Sequence, residues 1–163
     1  MVRIRARRAL LLLGLLASAL IAGFFYTYSV SVMPGLGATE PLAATLAMRG
    51  INAVIRTPLF AFSFFGALAF PFAAALLAQR RVVAVLAVAA GLVYGVGAFA
   101  VTFTVNVPLN EALAAASPSA ASAADLWQQY ATPWTVWNHV RTLASIIAFA
   151  LVTATLVVEL QQR

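Results

Sequence analysis

The side chains best suited to chemistry lie in the stretch Trp134 to Thr142, which reads Trp-Thr-Val-Trp-Asn-His-Val-Arg-Thr. It contains His139, the only histidine of the chain, together with Arg141 and two tryptophans. These residues provide one base that titrates near neutral pH, one fixed cation, amide and hydroxyl donors, and aromatic walls. Such a set suits binding a flat apolar molecule, removing a proton from it and stabilising the resulting anion.

The stretch leads directly into the apolar run Leu143 to Val158, so it lies at the mouth of a membrane-length helix. At 3.6 residues per turn, one group of side chains falls within roughly 60° of a single direction: Trp134, Trp137, Asn138, Arg141 and Ser145. His139 points about 100° away from Asn138. Arginine is costly in lipid unless it faces the interior or reaches the headgroups. Arg141 is therefore either a buried functional or ion-paired residue or a snorkelling one, and His139 is either a base or a hydrogen-bonded interfacial residue.

Polar residues also gather at three other predicted helix ends on the same side: Tyr26 to Ser31, Asn52 with Arg56, and Asn106 with Asn110. The opposite ends carry only arginines, glutamine and one glutamate, and this asymmetry predicts a site on one side of the bundle. The candidate site residues are Tyr28, Ser31, Asn52, Asn106, Asn110, Trp134 and Trp137 as substrate contacts, around Asn138, His139 and Arg141. We predict that Asn106, Asn138, His139 and Arg141 reach one cavity.

Residues that are absent exclude several kinds of chemistry. The chain has no cysteine, which rules out disulfides, thiol catalysis, iron–sulfur clusters and thiolate metal sites. One histidine cannot supply bis-histidine haem ligation, and without a neighbouring carboxylate it cannot complete the three or four ligands of a catalytic metal. No phosphate loop, dinucleotide fingerprint or nucleophilic triad is present. We expect neither a metal nor a cofactor.

The composition is that of a polytopic membrane protein. Hydrophobic residues make up 64% and charged residues 9% of the 163 residues, and the mean hydropathy is +0.99, far from a soluble domain. The formal net charge of +6 does not indicate a nucleic-acid partner, because the arginines flank apolar runs: Arg3, Arg5, Arg7 and Arg8 before the first, and Arg80 with Arg81 between two others. Positive charge in such places marks the cytoplasmic side, and membrane lipid is the expected partner.

The apolar runs predict one domain over residues 1–163 with four spans, at about 9–33, 54–78, 82–106 and 135–159. We expect the protein to lie in the plasma or inner membrane. Both termini, including the tail Gln161 to Arg163, are then in the cytoplasm. The basic head and Ala17-Ser18-Ala19 also resemble a cleaved signal peptide. The apolar run continues well past that point, however, which favours a retained first span. The segment Pro34-Gly35-Leu36-Gly37 is expected to end the first span, and Pro108 the third.

Two short helices complete the predicted fold. One covers Glu40 to Arg56 in the first outer loop, with Thr39 as its N-cap and Pro41 in its first turn. The other begins at Asp125, after an Ala- and Ser-rich loop, and leads back to the last span. The prediction is thus an all-α, four-helix membrane bundle with an extra helix in the first outer loop and another before the last span. Small residues at Gly14, Ser18 and Ala22, and at Gly91 and Gly95, are placed for close helix contacts.

Several motifs resemble one family. These are Phe25-x-Tyr-x-Tyr-Ser-x-Ser-Val-Met-Pro-Gly-Leu36, the segment Ala47-Met48-x-x-Ile-Asn52, Asn106-Val-Pro-Leu-Asn110, and Trp127-x-x-Tyr130 followed by Trp134-Thr-x-Trp-Asn-His-Val-Arg-Thr142. Together they look like the DUF1772 or anthrone oxygenase-like family of small four-helix membrane proteins. The resemblance covers nearly the whole chain. Arg49 departs from it, since glutamine is more usual after the Ala-Met pair.

The resemblance implies a cofactor-independent oxygenase that turns an anthrone into an anthraquinone with O₂. His139 would then take the benzylic proton, while Arg141 and asparagine donors such as Asn138 hold the enolate-like anion. The alternative is a non-enzymatic membrane binding or accessory protein. Proton-coupled export is disfavoured, because Glu40, Glu111, Asp125 and Glu159 all fall at helix ends or in loops. The sequence makes no prediction of oligomeric state.

Overall fold

The computed structural model describes residues 2–161, and within that range the protein is all α-helical. The helices are α1 (Val2–Gly37), α2 (Pro41–Val54), α3 (Pro58–Leu76), α4 (Arg81–Ala115) and α5 (Ala123–Leu160). All except α2 are long and apolar enough to cross a membrane. The predicted four-helix membrane bundle is therefore confirmed. Gln162 and Arg163, in the predicted cytoplasmic tail, lie outside the described residues, as does Met1.

The four long helices form a ring: α1 packs against α3 and α5, and α4 closes the ring by packing against both of them. Lipid tails are as apolar as core side chains, so membrane helices associate through close approach at small residues. A Cβ added at Gly14 would lie 3.3 Å from Phe70 Cβ, and one at Gly97 only 2.5 Å from Ala144 Cβ. The predicted small-residue contacts at Gly14 and Gly91 are helix interfaces, with α3 in both cases.

The end of the bundle that contains Val2, residues 77–80 and Leu160 is called here the terminal end, and the opposite end the α2 end. At the terminal end Arg7 is fully buried and pairs with Glu159, 2.5 Å from Nη2 to Oε1. Its Nη1 also donates to the carbonyl of Leu77 at 2.8 Å. One side chain thus joins α1, the end of α3 and α5, so the ends of these three helices lie at the same depth in the bundle.

Because these helix ends are aligned at the terminal end, helices of different length extend to different distances at the α2 end. Helix α3 has 19 residues, roughly 28 Å, which matches the roughly 30 Å hydrocarbon core. Helices α1, α4 and α5 have 36, 35 and 38 residues and are each more than roughly 50 Å long. They therefore project beyond α3, and α2 packs between these projecting segments, burying Ala44, Thr45 and Met48.

The short helix α2 was predicted correctly, but its cap was not. Its N-cap is Glu40, whose Oε2 accepts a hydrogen bond from the Ala43 backbone N–H at 3.0 Å. Thr39 instead donates its hydroxyl proton to the Leu36 carbonyl at 2.8 Å, and so ends α1. Both are polar residues that bond to nearby backbone, but only the carboxylate of Glu40 reaches a free amide of the first turn.

Pro108 does not end its helix, contrary to the prediction, whereas α1 ends at Gly37, the last residue of the predicted stop Pro34 to Gly37. Both prolines nevertheless lie inside their helices. Each is preceded by a π-helical segment at the same spacing, Tyr28–Val32 in α1 and Thr102–Asn106 in α4. There the N–H of Met33 bonds to the Tyr28 carbonyl, and that of Val107 to the Thr102 carbonyl, one residue further back than in an α-helix. A proline ring normally clashes with the carbonyl four residues earlier. The wider turn redirects the hydrogen bonds before the ring, so the helix continues.

The second predicted short helix is not separate either, because Ala123–Leu160 is one helix that runs through Pro133. A proline inside a helix costs roughly 3 kcal/mol. Tyr130 and Trp134, on either side of it, are both buried in an aromatic cluster. Both also donate to Asn110 Oδ1, at 2.8 Å each. This tertiary anchoring holds the two sides of Pro133 in one continuous helix.

Candidate functional site

A cavity of about 780 Å³ lies within the α2 end, and all five helices contribute to its lining. This volume is typical of small-molecule sites. Much of the wall is phenylalanine from three helices: Phe24 and Phe25, Phe60, Phe64 and Phe65, and Phe103. The polar lining includes Tyr28, Asn52, Thr102, Asn106, Asn110 and Arg141. The cavity is therefore lined largely by aromatic and apolar side chains, with a few polar groups among them.

Arg141 is the buried charge of this cavity. It is 4% exposed, and its guanidinium lies between two rings, 4.4 Å from the Phe25 centroid and 4.9 Å from that of Trp134. Its Nη1 donates to Thr102 Oγ1 at 3.2 Å and its Nη2 to Asn138 Oδ1 at 2.9 Å, while Nε is buried without a partner.

Arg141 has no counter-charge among the described residues. The ion pairs that form within 4.0 Å in residues 2–161 are those of Arg7 and Arg8 with Glu159, at the other end of the bundle. Arg141 is held instead by neutral oxygens and aromatic faces. A guanidinium has five N–H donors, so this cation retains donor capacity beside an open cavity.

Asn138 fixes the position of Arg141 from behind. It is fully buried, and its Nδ2 donates to the Phe25 carbonyl at 2.9 Å and to Ser29 Oγ at 2.8 Å. Its Oδ1 is thereby directed at the guanidinium. Ser29 Oγ is also 3.1 Å from Thr142 Oγ1, which donates to the Asn138 carbonyl at 2.8 Å. The network ties α1 to α5 at the depth of Arg141.

Two π-helical segments of α4, Gly95–Ala100 and Thr102–Asn106, shape the opposite wall. Tyr94, Ala98, Thr102 and Asn106 are all buried, at a spacing of four residues. In a straight α-helix Asn106 would lie about a third of a turn away from the direction of Tyr94, so the wider turns keep Asn106 inside. Asn106 Nδ2 donates to the Trp134 carbonyl at 3.2 Å, and its Oδ1 is buried without a partner. The cavity thus offers an acceptor as well as a cation.

Charged residues form the rim of the cavity at the α2 end. Arg49 and Arg56, the latter exposed, line it together with Glu111. Arg49 donates to the carbonyls of Ala114 and Ala116, where α4 ends and carbonyls lack helical partners. Arg49 therefore attaches α2 to the end of α4 at the rim of the cavity.

The structure brings six predicted site residues into the cavity lining: Tyr28, Asn52, Asn106, Asn110, Trp134 and Arg141. Asn138 lies directly behind Arg141. The other three, Ser31, Trp137 and His139, are exposed and do not line the cavity. His139 Nδ1 is 3.0 Å from Ser29 Oγ, so His139 contacts the network around Asn138 from outside the cavity.

Other lining residues were missed by sequence reasoning. The phenylalanines of α3 were not among the candidates, although Phe60, Phe64 and Phe65 line the cavity. Glu111 was placed at a helix end or in a loop because Pro108 was expected to end the helix. Thr102, which also lines the cavity, was not named as a site residue. The four-residue spacing of Tyr94, Ala98, Thr102 and Asn106 was a signal that could have identified it. No cluster of three or more potential metal ligands occurs in residues 2–161.

Four membrane-length helices define a multi-pass membrane protein, and a largely aromatic cavity with a few polar groups lies at one end of the bundle. Residues 46–151 match the family model described as Anthrone oxygenase. This match covers more than half of the chain, and it includes Asn52, Asn106, Asn110, Trp134 and Arg141. The chain belongs to the anthrone oxygenase family. No curated protein and no solved structure matches the chain.

Proposed function

We propose that the protein is a cofactor-independent oxygenase that uses O₂ to oxidise a flat phenolic substrate of the anthrone type in this cavity. The observation that carries the proposal is Arg141, a buried guanidinium without a carboxylate partner in the described chain, beside a largely aromatic cavity. Such a cation is preorganised for an anion that forms only when substrate reacts. The family supports the same chemistry.

The reaction proceeds through the anion. Loss of one benzylic proton turns the anthrone into an enolate, whose oxygen lies at Arg141. The electron-rich carbon opposite that oxygen passes an electron to O₂ and then bonds to the reduced oxygen, which after protonation gives a hydroperoxide. Loss of the second benzylic hydrogen with cleavage of the O–O bond releases water and leaves the quinone. The balance is anthrone plus O₂ to anthraquinone plus water, so no external reductant is required.

The polar lining fits the substrate in this scheme. Arg141 donates to the enolate oxygen, and Asn106 Oδ1, buried without a partner, accepts from a neighbouring phenolic hydroxyl. The rings lie among Phe25, Phe60 and Phe64, which are apolar and exclude water from the anion. In a water-poor site, a single preorganised donor is worth about 10²–10³ in rate.

Two residues are proposed as acceptors of the first proton. Glu111 has a carboxylate on the cavity lining and is our first choice. His139, which the family resemblance implies as the base, lies outside the lining and would have to turn from Ser29 toward the substrate. The two are separated by Glu111→Gln and His139→Gln with benzylically deuterated substrate. The variant that lacks the base should lower kcat, with an isotope effect larger than in wild type and KM little changed.

We propose that the α2 end faces the outside of the plasma or inner membrane. The terminal end carries Arg3, Arg5, Arg7, Arg8, Arg80 and Arg81, and this excess of positive charge is typical of the cytoplasmic side. Substrate would then react near the outer surface of the bilayer.

Oxygen uptake by detergent-purified protein with a panel of anthrones tests the proposal. Wild type should consume one O₂ per quinone formed, and Arg141→Leu should lower kcat/KM by about 100–1000-fold. Arg81→Gln, an exposed arginine at the terminal end, is the matched control and should leave the rate unchanged. If folded wild type binds anthraquinone but consumes no O₂ with any anthrone, oxygenase function is wrong and the protein is a membrane binding or accessory protein.

A further inference from the structure

The interface between α3 and α4 changes in character along its length. Toward the terminal end the two helices are in close contact: a Cβ added at Gly91 would lie 2.7 Å from the Phe72 ring, and one at Gly95 3.2 Å from Leu68 Cδ1. Toward the α2 end phenylalanine rings fill the gap between them. Phe64 stacks on Phe99 with centroids 5.2 Å apart, and the Phe65 and Phe99 centroids are 5.9 Å apart. Side chains of α3 thus pack directly onto glycines of α4 at one end, whereas rings from both helices fill the gap at the other.

Two of the rings in this gap line the cavity and are also about half exposed. Phe65 of α3 is 51% exposed and Phe103 of α4 is 49% exposed, and both belong to the cavity lining. A side chain that lines a cavity and is also half exposed forms part of an opening. Phe65 lies seven positions inside α3, a helix that just matches the hydrocarbon core, which places this opening roughly 10 Å below the start of the helix and within the lipid.

The cavity has a second, different rim. Arg49, Arg56 and Glu111 line it at the α2 end, where charged side chains meet water and headgroups. A flat apolar molecule partitions into the bilayer, so it meets the phenylalanine opening before the charged one. Ring contacts are weak, about 0.5–1.5 kcal/mol for each pair, and rotamer changes of exposed side chains take picoseconds to nanoseconds. The phenylalanine opening can therefore widen without moving a helix.

We propose that the cavity exchanges a flat aromatic ligand directly with the bilayer through the gap between α3 and α4. Phe65 and Phe103 are the residues that determine which ligands pass: a planar ring system slides between them edge-on, whereas a branched or bulky molecule of similar hydrophobicity does not. The charged rim serves water, protons and polar products. The proposal rests on the proposed function for the class of ligand, but not on the oxidation itself.

The chain has no cysteine, so a double variant Phe65→Cys/Phe103→Cys carries the only thiols and can be bridged by a short bifunctional methanethiosulfonate, reversibly with a reductant. Trp134 lines the cavity and reports ligand arrival by fluorescence quenching. Trp127→Phe and Trp137→Phe remove the other tryptophans. The probe is 9,10-anthraquinone, delivered in phosphatidylcholine vesicles to protein reconstituted in the same lipid. Bridging should slow quenching at least tenfold, and reductant should restore it.

The matched control is Leu92→Cys/Leu143→Cys, bridged in the same way. Both side chains are exposed and line a shallow apolar groove between α4 and α5, away from the cavity. Its bridged form should quench within twofold of the open form. A further variant avoids the reagent: Phe65→Ala/Phe103→Ala should speed quenching and admit branched quinones that wild type excludes.

The outcomes separate the two proposals. Equal quenching rates in the bridged and open Phe65/Phe103 variants would overturn the lateral opening, as would a complete lack of Trp134 quenching by anthraquinone. Oxygen uptake with anthrone bears on the other question. If bridging slows quenching but no variant consumes O₂, the opening stands and the oxygenase function falls. If anthrone is oxidised at the same rate with and without the bridge, the function stands and the opening falls.

Discussion

The two ends of the bundle each bury an arginine, and they treat it in opposite ways. Arg7 at the terminal end is fully buried and bonded to Glu159 and to the Leu77 carbonyl. Arg141 at the α2 end is 4% exposed and contacts only hydroxyl and amide oxygens and two aromatic faces. A neutralised cation holds helices together. Arg141, which has no carboxylate partner among the described residues, is the cation that we propose binds the substrate anion.

This difference also separates stability from function along the bundle. An ion pair taken out of water is costly, and its attraction only about repays that cost, so breaking it leaves an expensive lone charge. In the folded protein the charge of Arg141 is already partly desolvated. Among the described residues a hydroxyl, an amide oxygen and two aromatic faces offset the free-energy cost of that desolvation. Four substitutions test the contrast, from the largest expected effect to the smallest.

Replacing Glu159 by Gln should destabilise the protein most. Arg7 would remain buried and charged with a neutral partner, and breaking a buried pair typically costs about 3–5 kcal/mol. Unfolding in mixed dodecyl maltoside and SDS micelles, followed by tryptophan fluorescence, measures the loss. If Glu159→Gln unfolds at the wild-type SDS fraction, the pair does not hold the terminal end.

Replacing Arg141 by Leu should instead lower activity without destabilising the protein. Turnover of an anthrone should fall by about 100–1000-fold, while the free energy of unfolding stays the same or rises, because an unpaired charge has been removed from the interior. The same two assays, turnover and micellar unfolding, decide it. A loss of several kcal/mol would mean that Arg141 is a structural residue like Arg7, and the contrast between the ends would disappear.

Replacing Thr102 by Asp should give Arg141 a carboxylate partner, as Arg7 has in Glu159. The carboxylate would stand where Arg141 Nη1 now donates to a hydroxyl at 3.2 Å, and it would occupy the cation that the substrate anion needs. Turnover should drop at least about tenfold, with stability kept within about 1 kcal/mol. Thr102→Asn has the same size without the charge and should retain most of the activity. Equal losses in Asp and Asn would point to shape instead of charge.

Replacing Arg8 by Gln should have the smallest effect. Its Nε is 3.7 Å from Glu159 Oε1 and its side chain is 36% exposed, and half-solvated pairs of this kind contribute less than about 1 kcal/mol. Micellar unfolding of Arg8→Gln beside Glu159→Gln gives the comparison directly. A loss as large as that of Glu159→Gln would show that Arg7 alone does not balance the carboxylate.

The fold was largely predictable from the sequence because the bilayer imposes it. Long apolar runs separated by arginines have few alternatives in lipid, and the spans and α2 followed from them. Helices were expected to end at prolines, but the rule that proline interrupts a helix holds only where tertiary contacts do not support the helix. Tyr130 and Trp134 hold α5 together around Pro133, and those contacts join residues that the sequence keeps far apart.

The candidate site was predictable only in part. Arg141, Asn106 and Asn110 were recoverable because polar residues in an apolar helix must face inward or an interface. Phe64 and Phe103 carried no such signal, because phenylalanine is equally at home against lipid, in a core or in a cavity wall. The helical periodicity of Trp134 to Thr142 placed Trp137 on the same face as Trp134, yet Trp137 is 39% exposed. Sequence periodicity gives a direction around one helix and not the neighbour it meets.

The π-helical segments add a consequence concerning chain length. Each wide turn accommodates one residue more than α-helical winding would, and it absorbs that residue within the turn. If Val105 were deleted and α4 wound as a plain α-helix, Asn106 and Asn110 would therefore keep nearly their present directions. Without the deletion, the same rewinding would rotate everything beyond the turn by about 100°, and Asn110 would turn away from Tyr130 and Trp134. A relative could therefore lack one residue near Pro34 or Pro108 and still keep both the bundle and the site, provided that its helix is α-helical there. A one-residue alignment gap at either place would then mark a change in helix winding and not the loss of the site.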